Sequence, residues 1–205
     1  MAEKAGTKGV PRHEREESIL DAAAGEIGRV GYAGLFLGSV ATAAGVSKPL
    51  IYAYFDSKDG VYVRCVRRAA ANLCDAMDRV IGETEEQARA GTVTTALAGR
   101  TLAAIFGALE HRPYDWRVVF DRSHPEQGPA ADAAREARRQ IAERANWGIS
   151  AFGAAGGLTD SDDVSALTAA WMGIVSALVD WWLRHPGETA AQMTARSLRL
   201  VALLD

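Results

Sequence analysis

The stretch Ala41 to Lys58, reading A-T-A-A-G-V-S-K-P-L-I-Y-A-Y-F-D-S-K, constrains this chain more than any other. Gly45 follows a short run of helix formers, and a glycine just past a helix end takes the left-handed conformation at little cost. Ser47 then stands at an N-cap position, its hydroxyl free to accept from an orphan backbone N–H, and Pro49 falls in a first turn, where it breaks no hydrogen bond. A second short helix follows over about Lys48 to Phe55, ended by Asp56 and Ser57. Two short helices joined by a tight glycine turn make a helix-turn-helix. Ala41 is small enough for the second helix to pass close, and Ile51 can plug the angle between the two. Val40, Ala44, Val46 and Tyr54 fill the remaining inward positions. An ordinary helical hairpin would satisfy these spacings too. The continuation I-Y-A-Y-F-D-S-K argues for more, because two tyrosines and a lysine have little use in so small a core.

The run Arg15 to Val66 resembles the DNA-binding domain of the tetracycline-repressor (TetR) family. The residues that carry the resemblance are Ile19-Leu20-Asp21-Ala22-Ala23, Gly31-Tyr32, Val40-Ala41, Ala44-Gly45-Val46-Ser47, Ile51-Tyr52, Tyr54-Phe55 and Ser57-Lys58. It covers about the first third of the chain. The resemblance implies an all-α protein with an N-terminal three-helix helix-turn-helix domain and a C-terminal helical domain for ligand binding and dimerisation. It also implies DNA contact by Tyr52 and Lys58. The second helix of the motif should lay its N-terminal residues in the major groove. There Lys48 can donate to guanine and Leu50 can meet a thymine methyl. Tyr52 and Tyr54 can donate to phosphates, and Lys58 sits at a helix start that attracts them. Ser47 and Ser39 complete the candidate DNA-binding set. The chain departs from the family pattern at two positions: Phe36 stands where a Ser or Thr cap is usual, and Gly38 where an Arg or other polar residue is common. The helix that starts there is expected to fray at its beginning, with Ser39 as the nearby polar group for a phosphate.

The charge distribution suits a local footprint on DNA. Residues 1–68 hold ten Lys/Arg against eight Asp/Glu, whereas the remainder holds thirteen against eighteen, for a net charge of −3. A mildly basic head on an acidic body is not a general polyanion binder. Residues 1–12 read as a disordered arm in which Lys4, Lys8 and Arg12 can touch phosphates, with Arg15 just beyond it. Residues 13–60 read as the DNA-binding domain and 61–205 as the effector-binding and dimerisation domain.

Helical periodicity divides the chain further. Helices are expected over about Arg12–Val30, with Ile19, Ala23, Ile27 and Val30 in one stripe, and over Leu37–Ala44. The helix that starts near Ser57, which can cap it, keeps an apolar face from Val61 to Val80 and is expected to end about Ile81. Further helices are expected over about Val93–Glu110, Tyr114–Phe120, Ala130–Phe152, Ser161–His185 and Thr189–Leu204. Val164, Leu167, Trp171, Ile174, Leu178 and Trp181 follow a 3-4-3-4-3 spacing, a seam for another helix. A stripe of small residues, Ala166, Ala170, Gly173 and Ala177, runs beside it. A homodimer joined there would use Ala170, Gly173, Ala177, Leu178 and Trp181. The aromatic residues of the second part suggest an effector pocket lined by Phe106, Trp116, Phe120, Trp147 and Trp171, with Arg117, Asp121 and Asn146 as polar candidates.

Other chemistries find little support. There is no nucleophile elbow, phosphate loop or dinucleotide fingerprint. His13, His111, His124 and His185 are scattered without partners at metal-ligand spacing, so neither metal nor cofactor is expected. Cys65 and Cys74 lie nine residues apart on one helix, roughly 13 Å along its axis and half a turn out of phase, and cannot bridge each other. Unpaired cysteines and no secretory signal point to the cytoplasm. No apolar stretch of about twenty residues is expected to span a membrane. The partners implied are a palindromic double-stranded DNA operator, a small hydrophobic or aromatic effector and a second copy of the chain. Two alternatives stay open. One is a helix-turn-helix protein without an effector pocket, an activator or architectural factor. The other is a helical enzyme with an incidental DNA-binding motif.

Overall fold

The computed structural model describes residues 11–202. Over them the chain forms α1 (Arg12–Gly34), α2 (Leu37–Ala43), α3 (Lys48–Phe55), α4 (Lys58–Arg89), α5 (Ala96–Glu110), α6 (Asp115–Phe120), α7 (Pro129–Ala155), α8 (Ser161–Leu183) and α9 (Ala190–Val201). No strand occurs among the described residues, and the expected all-α class holds. Lys4 and Lys8, most of the expected disordered arm, and the expected end of the last helix at Leu204 lie outside the described residues.

The organising helix is α4. At 32 residues it is about 48 Å long, given about 1.5 Å per residue. Val61, Cys65, Ala69, Leu73, Met77 and Val80 are buried along it, as their spacing requires. Its start packs against α1 and α3, and its length packs against α5, α6 and α7. One hydrophobic core therefore runs from Ile19 in α1 to Met193 in α9, with α4 through its middle. Ser57 caps α4 by accepting from the Gly60 amide at 3.0 Å. Both cysteines are buried and free, and burial pushes the Cys65 thiol up to about 12, so it stays protonated and inert.

Several boundaries differ from expectation, each for a physical reason. α4 continues past Ile81 to Arg89. Thr84 is buried there and accepts from Arg100 of α5 at 3.0 Å, so tertiary contacts hold a polar segment helical. α7 begins one residue early, with Pro129 in its first turn, and runs on to Ala155. Its stripe is buried at Ala134, Ala137, Ile141 and Ala145, but Ile149 and Phe152 are only half-buried. Val30 leaves the buried stripe of α1 because the helix kinks at the next residue. α2 is not frayed: Ser39 and Val40 both donate to the Phe36 carbonyl, at 3.0 and 3.3 Å.

The larger correction concerns α8. Its buried side is Thr168, Val175, Val179 and Trp182, not the expected seam. Leu167 and Ile174 of that seam are exposed and Trp171, Leu178 and Trp181 are half-buried. The neighbouring small residues Ala166, Ala170, Gly173 and Ala177 are exposed as well. The seam and the small-residue stripe form one wide uncovered face, joined by exposed Leu198 of α9. α8 is also long and apolar enough to cross a membrane by length and composition, against expectation, because Val, Leu, Ile, Met and Ala make up much of it. It packs on α7 in this fold and carries Asp162 and Asp163 in its first turn.

A specific junction ties α1 to the body. At Gly31 the backbone takes φ 69° and ψ −180°, which interrupts the regular helix. Beyond it the Tyr32 amide donates to Asp121 Oδ2 and the Ala33 amide to Ser123 Oγ, each at 3.0 Å. A Cβ on residue 31 would stand 2.3 Å from Ser123 Oγ and 2.9 Å from Asp121 Oδ1. Only glycine supplies both the conformation and the space. Gly31→Ala is therefore expected to cost about 1–3 kcal/mol, from a backbone conformation that only glycine takes without strain. Urea unfolding measures this, and an unchanged midpoint would count against the junction.

Candidate nucleic-acid interface

The helix-turn-helix forms at the expected residues. Gly45 turns the chain at φ 65° with open space around it, and the Val46 amide closes the turn on the Ala41 carbonyl at 2.9 Å. Val40 and Ile51 are fully buried between the helices, and Ala44, Val46 and Tyr54 pack partly against them. Pro49 lies in the first turn of α3. Ser47 is the N-cap by backbone conformation, yet its side chain makes no cap bond. The expected capping by its hydroxyl is thus corrected; the side chain is exposed.

The candidate residues fall into two groups. Ser39, Ser47, Lys48 and Tyr52 are exposed, and Tyr52 retains 42% of its accessible surface. Leu50, Tyr54 and Lys58 are half-buried. The Tyr54 ring packs 6.0 Å from Phe55 and lies under the Arg12 guanidinium at 4.9 Å, so it is partly committed to packing. Lys58 opens α4. Its Nζ lies 4.5 Å from the Tyr32 ring centre and 3.4 Å from the Ala33 carbonyl oxygen. That places an ammonium beside the free amides of a helix start, a combination suited to phosphate.

Tyr32 supports this corner from below. Its hydroxyl donates to Asp59, and its ring meets buried Tyr62 edge-on at 5.1 Å. Burial, then the hydrogen bond and charge of Asp59, push the Tyr32 phenol up to about 12. It stays neutral and a donor at physiological pH. Burial raises the Tyr62 phenol as well, with Asp121 beside it adding to the effect. Tyr62 in turn packs against His124 at 6.1 Å between ring centres. The path from Lys58 through Tyr32 and Tyr62 thus reaches the α6–α7 loop of the body. Phe36 was not among the expected site residues, although it is 59% exposed beside Lys48. Its departure from the family cap was the available signal.

Residues 19–65 match the model of the bacterial regulatory proteins, tetR family. The N-terminal domain belongs to the tetR family. The chain is similar to the HTH-type transcriptional activator FasR of Mycolicibacterium smegmatis, 27% identical over 115 residues. That match covers 56% of this chain and spans about half (49%) of the length of FasR. Two solved structures share the fold. A TetR-like transcriptional regulator from Rhodococcus sp. RHA1 superposes with a TM-score of 0.66 at 20% identity, covering 94% of this chain and 98% of that one. The regulator FadR from Bacillus subtilis, solved in complex with stearoyl-CoA, superposes with a TM-score of 0.57 at 20% identity, covering 92% and 96%. Residues 19–65 thus carry a helix-turn-helix of that family, and the solved structures share the fold of the whole chain.

In the body, the five expected effector residues do not line one pocket. Phe106 is fully buried and meets Trp182 edge-on at 5.5 Å, so it belongs to the core. Trp147 lines a surface groove with Glu85 and Arg89 at the far end of α4. Trp171 is half-buried against the core. Trp116 and Phe120 do come together, 4.7 Å apart, in a cleft of about 350 Å3 between α1, α6 and α8. Arg117 and Asp121 line the same cleft, as do Ser176 and Asp180. Asn146 lies elsewhere, accepting from Thr168 at 3.5 Å. Arg117 spans the cleft, donating to Asp180 of α8 at 2.8 Å and to the Gly28 carbonyl of α1 at 3.3 Å. Helical spacing could not foresee this assembly, because it depends on how three separate helices cross.

Two substitutions test the DNA-facing assignment. Tyr52→Phe and Lys58→Ala are expected to weaken binding to all sequences about equally. Lys58→Ala should also lower the salt slope by about 1 for each phosphate it no longer neutralises. Electrophoretic mobility shifts over a salt series measure both, and unchanged affinity in the two variants would remove α3 and the start of α4 from the interface.

Proposed function

We propose that the protein is a ligand-responsive repressor that binds a palindromic operator as a homodimer in the cytoplasm and leaves it when a small hydrophobic or aromatic effector binds the body. It is not proposed to be an enzyme. The observation that carries this reading is the exposed pair Lys48 and Tyr52, followed by Lys58, on a tetR-family helix-turn-helix whose α4 continues into the body core. Residues 13–60 act as the DNA-binding domain and 61–205 as the effector and dimer domain. Ser39, Ser47, Leu50 and Tyr54 complete the contacts. Two recognition helices must meet major grooves about 34–36 Å apart, so their spacing controls affinity.

The uncovered face of α8 supports the dimer. Ala170, Gly173 and Ala177 are exposed and small, Leu178 and Trp181 flank them, and Ile174 and Leu198 retain 38% and 41% of their surface. A second copy would bury this face in a four-helix bundle with α9. For the effector, the cleft of about 350 Å3 falls at the small end of ligand sites, about 300–1,000 Å3. Its Trp116–Phe120 floor suits an aromatic or apolar guest. A guest that engages Arg117 would alter the link from Asp180 to Gly28, and a ligand favouring one spacing shifts the population toward it. That FadR binds stearoyl-CoA adds to the case for a body that admits an effector. The likeness to the activator FasR favours a second reading, activation from the same operator. A reporter gene behind the operator separates the two by the sign of its response to deletion of the regulator.

Ala177→Arg is expected to yield monomers by light scattering at micromolar concentration and to abolish operator binding. A wild-type monomer under those conditions would refute the dimer. An effector found by screening apolar and aromatic acids should quench tryptophan emission, raise the melting temperature and lower operator affinity in the wild type. Phe120→Ala should lose the quench while keeping operator binding. Ligand binding unaffected by that variant would place the effector outside this cleft.

A further inference from the structure

The two departures from the family pattern, Phe36 and Gly38, are parts of one arrangement. The edge of the Phe36 ring lies over Gly38. A Cβ on residue 38 would stand 2.4 Å from that edge. In that position the ring neighbours the start of α3, and Lys48 Nζ lies 5.4 Å from its centre. The same ammonium lies 5.9 Å from the ring of Tyr52. An exposed lysine is thus held near two aromatic rings, one preceding α2 and one on α3.

We propose that Phe36, seated on Gly38, is a specificity-determining residue that acts through Lys48. The proposal rests on the DNA-binding reading and deepens it by naming how one base contact is set. A lysine ammonium is a point charge on a flexible stem and by itself discriminates poorly. Aromatic faces attract a cation through their quadrupole. Held by Phe36 and Tyr52, Lys48 keeps one direction for its free N–H groups, toward the groove that the N-terminus of α3 enters. A guanine presents two acceptors, O6 and N7, on that edge. Phe36 stands where a Ser or Thr cap is usual, and at this helix start Ser39 and Val40 donate to the Phe36 carbonyl. Phe36 is a positioning residue in this scheme; Lys48 makes the contact.

The full chain tests this. An operator is selected from random duplex DNA with wild-type protein, and each base pair is then varied in turn. Lys48→Ala should relax the preference at one guanine per half-site. Phe36→Ala should relax the same position by about two- to fivefold per half-site and add nothing in the Phe36→Ala/Lys48→Ala double variant. The salt slope of Phe36→Ala should match the wild type, because the same phosphates stay neutralised. Gly38→Ala is the deciding variant. It favours the helix, so it should melt no lower than wild type. Yet it displaces the ring, so it should lose the same base preference. Phe36→Tyr should keep it. Retention of the Lys48-dependent preference in both Phe36→Ala and Gly38→Ala would overturn the proposal. A uniform loss across all sequences with a lowered melting temperature would do the same. Wild-type protein that selects no duplex would instead overturn the DNA-binding reading beneath it.

Discussion

The fold depends on the burial of one face of α4 from end to end. Val61 and Tyr62 at its start are as fully enclosed as Leu73 in its middle. The same rigid rod therefore forms part of the small N-terminal domain and the axis of the body. A helix about 48 Å long kinks sharply only where a proline, a bulge or an inserted group interrupts its hydrogen bonds, and α4 carries no proline. α4 thereby joins the core of the body to the corner where Ser57 caps and Lys58 projects. The junction at Gly31 works in parallel, binding the end of α1 to Asp121 and Ser123 by two backbone amides. The N-terminal helices are thus attached to the body at two separate points.

The Arg117 bridge adds a third attachment of a different kind. It is polar, partly exposed and made at the edge of a cleft. Hydrogen bonds at such a place are exchanged for others at little net cost, whereas the α4 stripe can be exchanged for nothing. The molecule thus combines a permanent connection with a negotiable one. This is the arrangement expected where a bound guest must alter geometry without unfolding the domain.

Much of this was legible in the sequence, and unevenly so. The turn at Gly45, the span of α3 and the buried stripe of α4 follow from local chemistry: a glycine, a proline and one apolar period. Local chemistry also located Ser57 as a cap. It failed at Ser47, where the backbone supplies the cap geometry but the hydroxyl does not bond. It failed on α8 because periodicity reports that a face is apolar, not whether its own chain covers it. Val175 and Val179 were taken inside, while Leu167 and Ile174 were left out. The effector residues were the least legible. Five aromatic side chains on four helices share composition, yet crossing angles alone decide that Trp116 meets Phe120 while Phe106 is sealed against Trp182.

The contact between Phe36 and Gly38 also limits the order in which such a surface can be assembled. With any larger residue at position 38, an aromatic side chain at 36 has no seat, since even a methyl carbon would lie 2.4 Å from the ring. The glycine must come first, at the expense of some helix propensity in α2. Only then does the aromatic ring gain a resting place beside Lys48. In the reverse order the exposed ring would point away from position 38 until the glycine arrived. Once both are in place, the dependence runs one way: a larger residue at 38 displaces the ring, whereas loss of the ring leaves only an unobstructed glycine in α2.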